Sequence, residues 1–163
     1  MPLSFISEQH IEEAAMGLNA SETALEQAMA AFQEQQPILF SYFFTENFQA
    51  FTEEEKEYIL YLVLVIWEAF RRAGAPGTKA TEQQLAAAEE YNWGLMEQSR
   101  AKDFHQRLGL FFQGYPQEDL LAFVEDALAE DEEDDIVTPE GREAIFISLK
   151  TAIDCLAGIT LQG

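Results

Sequence analysis

The sequence predicts an all-α fold, a single-domain bundle of six to eight helices. Apolar residues recur at intervals of three and four along most of the chain, and no stretch alternates with period two over more than a few residues. Of the 163 residues, 48% are apolar and 12% aromatic, which is enough to bury one core without a disulfide or a metal ion. We therefore expect one domain over residues 1–163.

Serine residues open the first two predicted helices. Ser7 lies between Ile6 and Ile11, which have the spacing of a hydrophobic staple, and this helix continues to Leu18. Ser21 caps a second helix that ends near Gln36. The second helix has one apolar face, formed by Ala24, Leu25, Ala28, Met29 and Phe32.

The third predicted helix begins at Pro37, because a proline in the first turn lacks only an amide hydrogen that would have no partner there. We expect it to carry an aromatic face. The rings of that face are Phe40, Phe43, Phe44, Phe48 and Phe51. One short helix cannot bury so much aromatic surface, so a homodimer is an expectation, although repulsion between acidic chains opposes it.

Thr52 and the three glutamates after it form the strongest helix start in the chain, a capping box. The helix runs to about Ala73. Residues 59–70 are apolar nearly all round, which predicts a position at the centre of the bundle. The apolar run 58–67 is too short to cross a membrane, which takes roughly 20 residues.

The second half of the chain contains the remaining predicted elements. Residues 74–80, with two glycines and one proline, predict a flexible linker. Thr81 and Gln84 form a capping box for a helix that ends near Lys102. Three helices are expected after it: a short or kinked helix over 104–112, a helix over 117–129, and a last helix from Thr138 to Leu156. Residues 129–137 predict an acidic loop.

Residues 37–73 and 116–158 share an order of features: a proline-led apolar helix, an acidic junction, a threonine cap and a longer apolar helix. One interpretation is a repeated helical hairpin. The other is that capping and amphipathicity impose similar patterns on any two helical hairpins. Both interpretations stay open at the level of sequence.

The charge of the chain restricts its partners. Thirty acidic residues oppose nine basic ones, for a formal charge of −21. A field of this sign repels phosphate backbones and anionic headgroups, so we expect neither nucleic acid nor a membrane as partner. Cys155 is the only cysteine, and the first thirteen residues do not resemble a secretory signal. These features predict a cytoplasmic protein.

The sequence offers no catalytic residue, no cofactor-binding residue and no metal ligand that we would assign. His10 is expected to be exposed, and the pairing of His105 with Asp103 is too common to indicate catalysis. Cys155 is expected to be an inert buried thiol. Neither histidine has a glutamate three residues before it, and neither a calcium loop nor a glycine-rich phosphate loop is present.

Residues 89–94 are the one stretch in which polar and large aromatic side chains crowd together. Its polar residues are Glu89, Glu90 and Asn92, and its aromatic residues are Tyr91 and Trp93. A groove for a ligand or peptide is one interpretation. The other, which the sequence favours, is that the aromatic rings complete the core while the glutamates face water.

Elimination leaves a non-enzymatic protein–protein interaction domain with an adaptor or regulatory role. Its protein partner is unknown, and a basic protein is one candidate. The alternative is an acidic surface that imitates a nucleic-acid backbone and inhibits a basic protein such as a nuclease. An enzyme is a third and less supported interpretation.

Overall fold

The computed structural model describes residues 5–44, 48–49, 51–74, 79–101, 103–128 and 139–158. These residues form α1 (Glu8–Asn19), α2 (Glu22–Gln35), α3 (Pro37–Tyr42), α4 (Glu53–Arg72), α5 (Glu82–Gln98), α6 (Phe104–Arg107), α7 (Gly109–Phe112), α8 (Glu118–Leu128) and α9 (Pro139–Leu156). No strand occurs among them, which confirms the all-α prediction. No helix in this part of the chain has both the length and the hydropathy that a bilayer span requires.

The structure describes only part of the predicted linker 74–80 and none of the predicted acidic loop. Gly74 ends α4 with a φ of 77°, a conformation that glycine adopts at little cost, but residues 75–78 of the linker lie outside the described residues. The acidic loop 129–137 lies wholly outside them. The hairpin repeat stays a prediction.

The predicted helix starts at Ser7, Ser21, Thr52 and Thr81 are confirmed. Each of these side chains accepts a hydrogen bond from a backbone amide in the first turn of its helix. At Thr52 the bonds are reciprocal: the Glu55 amide donates to Thr52 Oγ1 at 3.0 Å, and the Thr52 amide donates to Glu55 Oε1 at 2.9 Å. The caps satisfy amides that the helix leaves unpaired, so short sequence patterns suffice to place them.

Two helices occupy the centre of the bundle. The buried residues of α4 surround its axis between positions 59 and 70, as predicted, and α4 packs against α1, α2 and α9. In α9 every residue from 145 to 156 is buried. Apolar residues recur at intervals of three and four along α9, a pattern that predicts one apolar face, whereas contacts with α4, α5 and α8 enclose the helix on all sides.

The prediction of one aromatic helix from Pro37 to Phe51 was wrong, because α3 ends at Tyr42. The rings beyond it pack on one another instead, with the centroids of Phe43 and Phe48 5.4 Å apart and those of Phe48 and Phe51 5.5 Å apart. Phe44 alone among the five rings is exposed, at 56%. The homodimer stays a prediction, with less aromatic surface to support it.

The end of α5 also differs from the prediction, because the helix stops at Gln98 and not near Lys102. Arg107 lies across this end. Its guanidinium donates to the carbonyl oxygens of Met96 at 3.1 Å and Ala101 at 3.2 Å, and it pairs with Glu143 of α9 at 3.1 Å. A single arginine thus satisfies carbonyls at the end of α5 and ties this end to α9. The predicted short or kinked helix is confirmed as α6 and α7, which meet at Leu108.

Candidate functional site

A groove of about 390 Å³ lies between α1 and α8, and we call it the α1/α8 groove. Two runs of residues with the same spacing line it. These are Glu8, Ile11, Glu12 and Ala15 on α1, and Asp119, Ala122, Phe123 and Asp126 on α8. Residues at positions i, i+3, i+4 and i+7 lie on one face of a helix, so each helix contributes one narrow face to the groove.

Side-chain bonds across the two helix starts hold the groove together. The Ile6 amide donates to Gln117 Oε1 at 2.9 Å, and the Glu8 amide donates to Asp119 Oδ2 at 3.0 Å. Both bonds use amides at the beginning of α1, which the helix itself leaves unpaired. They place the first turns of α1 and α8 side by side at one end of the groove.

The α1/α8 groove has an apolar floor and an acidic rim. Ile11 is buried, and Ala15, Ala122 and Phe123 are half-buried. The rim consists of four carboxylates, of which three are exposed and Asp119 is half-buried. The described residues that line the groove include no lysine, arginine or histidine, and no described cation forms a salt bridge with the four carboxylates.

The carboxylates of the rim are spread along the groove. Within the part of the chain that the structure describes, no three His, Cys, Asp or Glu side chains come close enough together to hold a metal ion. The open groove therefore presents negative charge along its edges and apolar surface along its floor. An amphipathic cationic surface complements both features.

A second polar feature lies in the core between α5 and α9, and we call it the Lys150 cluster. Lys150 Nζ donates to Asn92 Oδ1 at 2.8 Å and to the two carboxylate oxygens of Asp154 at 3.0 and 3.2 Å. Asn92 Nδ2 donates to Asp154 Oδ2 at 3.0 Å and to Thr151 Oγ1 at 3.2 Å. The Tyr115 hydroxyl donates to Asp154 Oδ1. The cluster satisfies a buried charge pair with hydrogen bonds from α5, α9 and the segment between α7 and α8.

Aromatic rings enclose the ammonium group of Lys150. Its Nζ lies 4.6 Å from the ring centroid of Tyr115, 5.7 Å from that of Phe111 and 6.0 Å from that of Tyr91, which are cation–π distances. Burial lowers the pKa of Lys150, and the neighbouring Asp154 opposes this effect. Burial, reinforced by Asp154, raises the pKa of Tyr115 well above its usual value. Because Lys150 is only 2% exposed and Asp154 and Asn92 are fully buried, the charged groups of the cluster offer no surface to another molecule.

The stretch 89–94 does not form one site. Asn92 points into the Lys150 cluster and is fully buried, whereas Trp93 is 37% exposed. Tyr91 is half-buried near the Lys150 ammonium group. The stretch includes Asn92, but the sequence analysis predicted no buried cluster there and did not point to Lys150 or Asp154. Their spacing of four residues is a signal that could have revealed an ion pair, but it does not indicate that the pair is buried.

The histidines and the cysteine have structural surroundings. The Ser7 amide donates to His10 Nδ1 at 3.2 Å as part of the cap of α1, and His105 Nδ1 lies 2.7 Å from Glu125 Oε1. Cys155 is buried, as predicted. Burial, followed by the effect of Asp154, raises the pKa of the Cys155 thiol to about 12, so the thiol stays protonated at neutral pH.

No known protein family, no curated protein and no solved structure matches this chain. Any function must therefore be inferred from the residues themselves. Of the two polar features, the Lys150 cluster is closed and the α1/α8 groove is open. The groove is the candidate functional site.

Proposed function

We propose that this protein is a non-enzymatic interaction domain that binds a basic, amphipathic helix of a partner protein in the α1/α8 groove. The observation that carries the proposal is the combination of an apolar floor with four rim carboxylates and, among the described lining residues, no cation. Apolar contacts supply affinity, and charge complementarity supplies orientation and selects against acidic partners.

The shape of the groove supports a helix as the bound element. Two neighbouring helices form its walls, and a third helix packs between two others by placing apolar side chains at i, i+3, i+4 and i+7 into the space between them. Lysines or arginines at the edges of that apolar face then reach the rim. Their long aliphatic stems cover apolar surface while the charged groups pair with carboxylates.

The charge of the whole chain supports a basic partner. At −21 the protein attracts cationic chains and speeds their encounter with it, and this effect weakens as salt is added. Rim pairs that remain open to water contribute little affinity individually, so the apolar floor has to supply much of it. Binding should therefore persist at physiological salt, with a slower association rate.

A synthetic helical peptide tests the proposal. The probe carries leucines along one face and lysines along both edges of that face, and the control has the same composition with the leucines dispersed around the helix. We expect the probe to bind in fluorescence anisotropy and the control to bind at least about tenfold more weakly, because only the probe can cover the apolar floor. Absence of binding by both peptides would contradict the proposal.

A pair of charge reversals on α1 shows where the peptide binds. Glu12 lines the groove, whereas Glu13 does not, and both are exposed. We expect Glu12→Lys to weaken binding of the probe about tenfold and Glu13→Lys to weaken it less than about threefold. Equal weakening would mean that net charge alone drives binding, as in the imitation of a nucleic-acid backbone.

A further inference from the structure

We infer that the α1/α8 groove selects partner helices that carry two basic residues seven positions apart with apolar residues between them. This inference rests on the proposed function, because it gives the sequence pattern of the helix that the groove binds. The pattern follows from the arrangement of acidic and apolar residues along α8.

The α8 side of the groove places an acid at each end of an apolar segment. Asp119 and Asp126 are seven residues apart, and Ala122 and Phe123 lie between them on the same face. Seven residues make two helical turns, so the two carboxylates are separated by about 10 Å along the helix. Phe123 is half-buried, and its exposed part belongs to the floor.

A helix that lies along α8 has the same rise for each residue. Two of its residues at positions i and i+7 therefore have the spacing of Asp119 and Asp126, while residues at i+3 and i+4 face Ala122 and Phe123. A basic residue at i+5 is rotated by about 140° from position i and faces away from the groove. Of these two spacings, only basic residues seven positions apart can pair with both Asp119 and Asp126 while the residues between them contact the floor.

The two ends of the groove differ in charge density. At one end the Glu8 amide is hydrogen-bonded to Asp119, so the carboxylates of both residues belong to the same end of the rim. At the other end Asp126 is the acid that α8 supplies, and α1 contributes only Ala15 there. The end with two acids prefers the more strongly basic part of a partner helix.

Two peptides of identical composition test the spacing. Both carry leucines at the same positions and two lysines, placed at i and i+7 in one peptide and at i and i+5 in the other. We expect the second peptide to bind about twofold to fivefold more weakly, because one lysine cannot reach the rim. Equal affinities would overturn the inference and leave the proposed function standing. If neither peptide bound, both would be overturned.

A charge exchange assigns the second lysine to Asp126. In the variant Asp126→Lys, which changes an exposed residue, the peptide with lysines at i and i+7 should lose about tenfold in affinity. A peptide with lysine at i and glutamate at i+7 should regain most of that loss. Glu13→Lys, the matched control outside the groove, should show no such regain. Equal regain by a peptide with the glutamate at i+5 would contradict the assignment, and circular dichroism checks that each variant folds.

Discussion

At the scale of the residue, Lys150 shows how this chain keeps a charge inside its core. A buried ammonium group is costly unless a carboxylate and further hydrogen-bond acceptors surround it. Lys150 has Asp154 four residues along the same helix and Asn92 on α5, and the ring of Tyr115 lies over it. Removing one member of such a pair should therefore cost more than removing both.

We predict that Lys150→Met lowers the free energy of unfolding by about 3–5 kcal/mol, because Asp154 is left buried without its cation. The double variant Lys150→Met/Asp154→Leu should lose less than the single one. Urea denaturation followed by circular dichroism measures both. Lys56→Met is the control, since Lys56 pairs with the exposed Glu53 and should change stability by less than about 0.5 kcal/mol. A small loss in Lys150→Met, similar to the control, would mean that the cluster does not hold the core together.

We predict that the raised pKa of the Cys155 thiol lowers the free energy of unfolding at alkaline pH. Its pKa rises from 9.0 to about 12 on folding, so above pH 9 the unfolded chain releases a proton that the folded chain keeps. The thiol should therefore lower the free energy of unfolding by about 1 kcal/mol between pH 9 and pH 10. Burial also raises the pKa of Tyr115, which acts in the same direction, while the lowered pKa of Lys150 acts in the opposite one.

The variant Cys155→Ala isolates this effect, because Cys155 is the only cysteine in the chain. The comparison uses the slope of the free energy of unfolding against pH and not its absolute value, because the stability lost by shortening the side chain does not depend on pH. We expect the variant to lose less stability than the wild type as pH rises from 9 to 10. Identical slopes would show that the thiol ionises as easily in the folded chain as in the unfolded one.

At the scale of the element, glycines inside helices offer a direct test of local propensity. A methyl group added at Gly94 of α5 would meet nothing within 4 Å beyond its own stretch of helix, whereas one at Gly17 of α1 would collide with the guanidinium of Arg72. We predict that Gly94→Ala stabilises the protein by about 0.5–1 kcal/mol, the usual difference between glycine and alanine in a helix. Gly17→Ala should gain less, because Arg72 must move. Thermal unfolding measures both, and a destabilised Gly94→Ala would contradict the packing of α5.

The helix starts could be predicted from the sequence because a cap involves residues three apart. Thr52 and Glu55 can be recognised without knowledge of any other helix. The burial of α9 could not be predicted in this way, since its polar residues Lys150 and Asp154 look like a solvent-facing pair in the sequence. Only the position of α9 between three other helices buries them.

The α1/α8 groove was missed for a related reason. The first turns of α1 and α8 are joined by a hydrogen bond from the Ile6 amide to the Gln117 side chain, and these residues are 111 positions apart in the chain. Local periodicity indicates the apolar face of each helix, but it does not indicate which two faces meet. The aromatic and polar residues of the stretch 89–94 are neighbours in sequence, whereas the acids and apolar residues of the groove become neighbours only in the fold.

At the scale of the whole molecule, charge dominates the behaviour that we expect. Thirty acidic side chains repel one another in the folded state more strongly than in an expanded chain. We predict that the melting temperature rises when sodium chloride is added from low to physiological ionic strength, because salt screens this repulsion. Differential scanning calorimetry measures the shift. A melting temperature that is independent of salt would contradict this prediction and would mean that repulsion between the carboxylates is already negligible at low ionic strength.

The most direct test of the proposed interaction is a nuclear magnetic resonance titration with the peptide that carries lysines at i and i+7. We predict that the backbone amide shifts change mainly along one face each of α1 and α8, around Ile11, Ala15, Ala122 and Phe123. Changes spread evenly over every acidic helix, or no changes at all, would contradict binding in the α1/α8 groove.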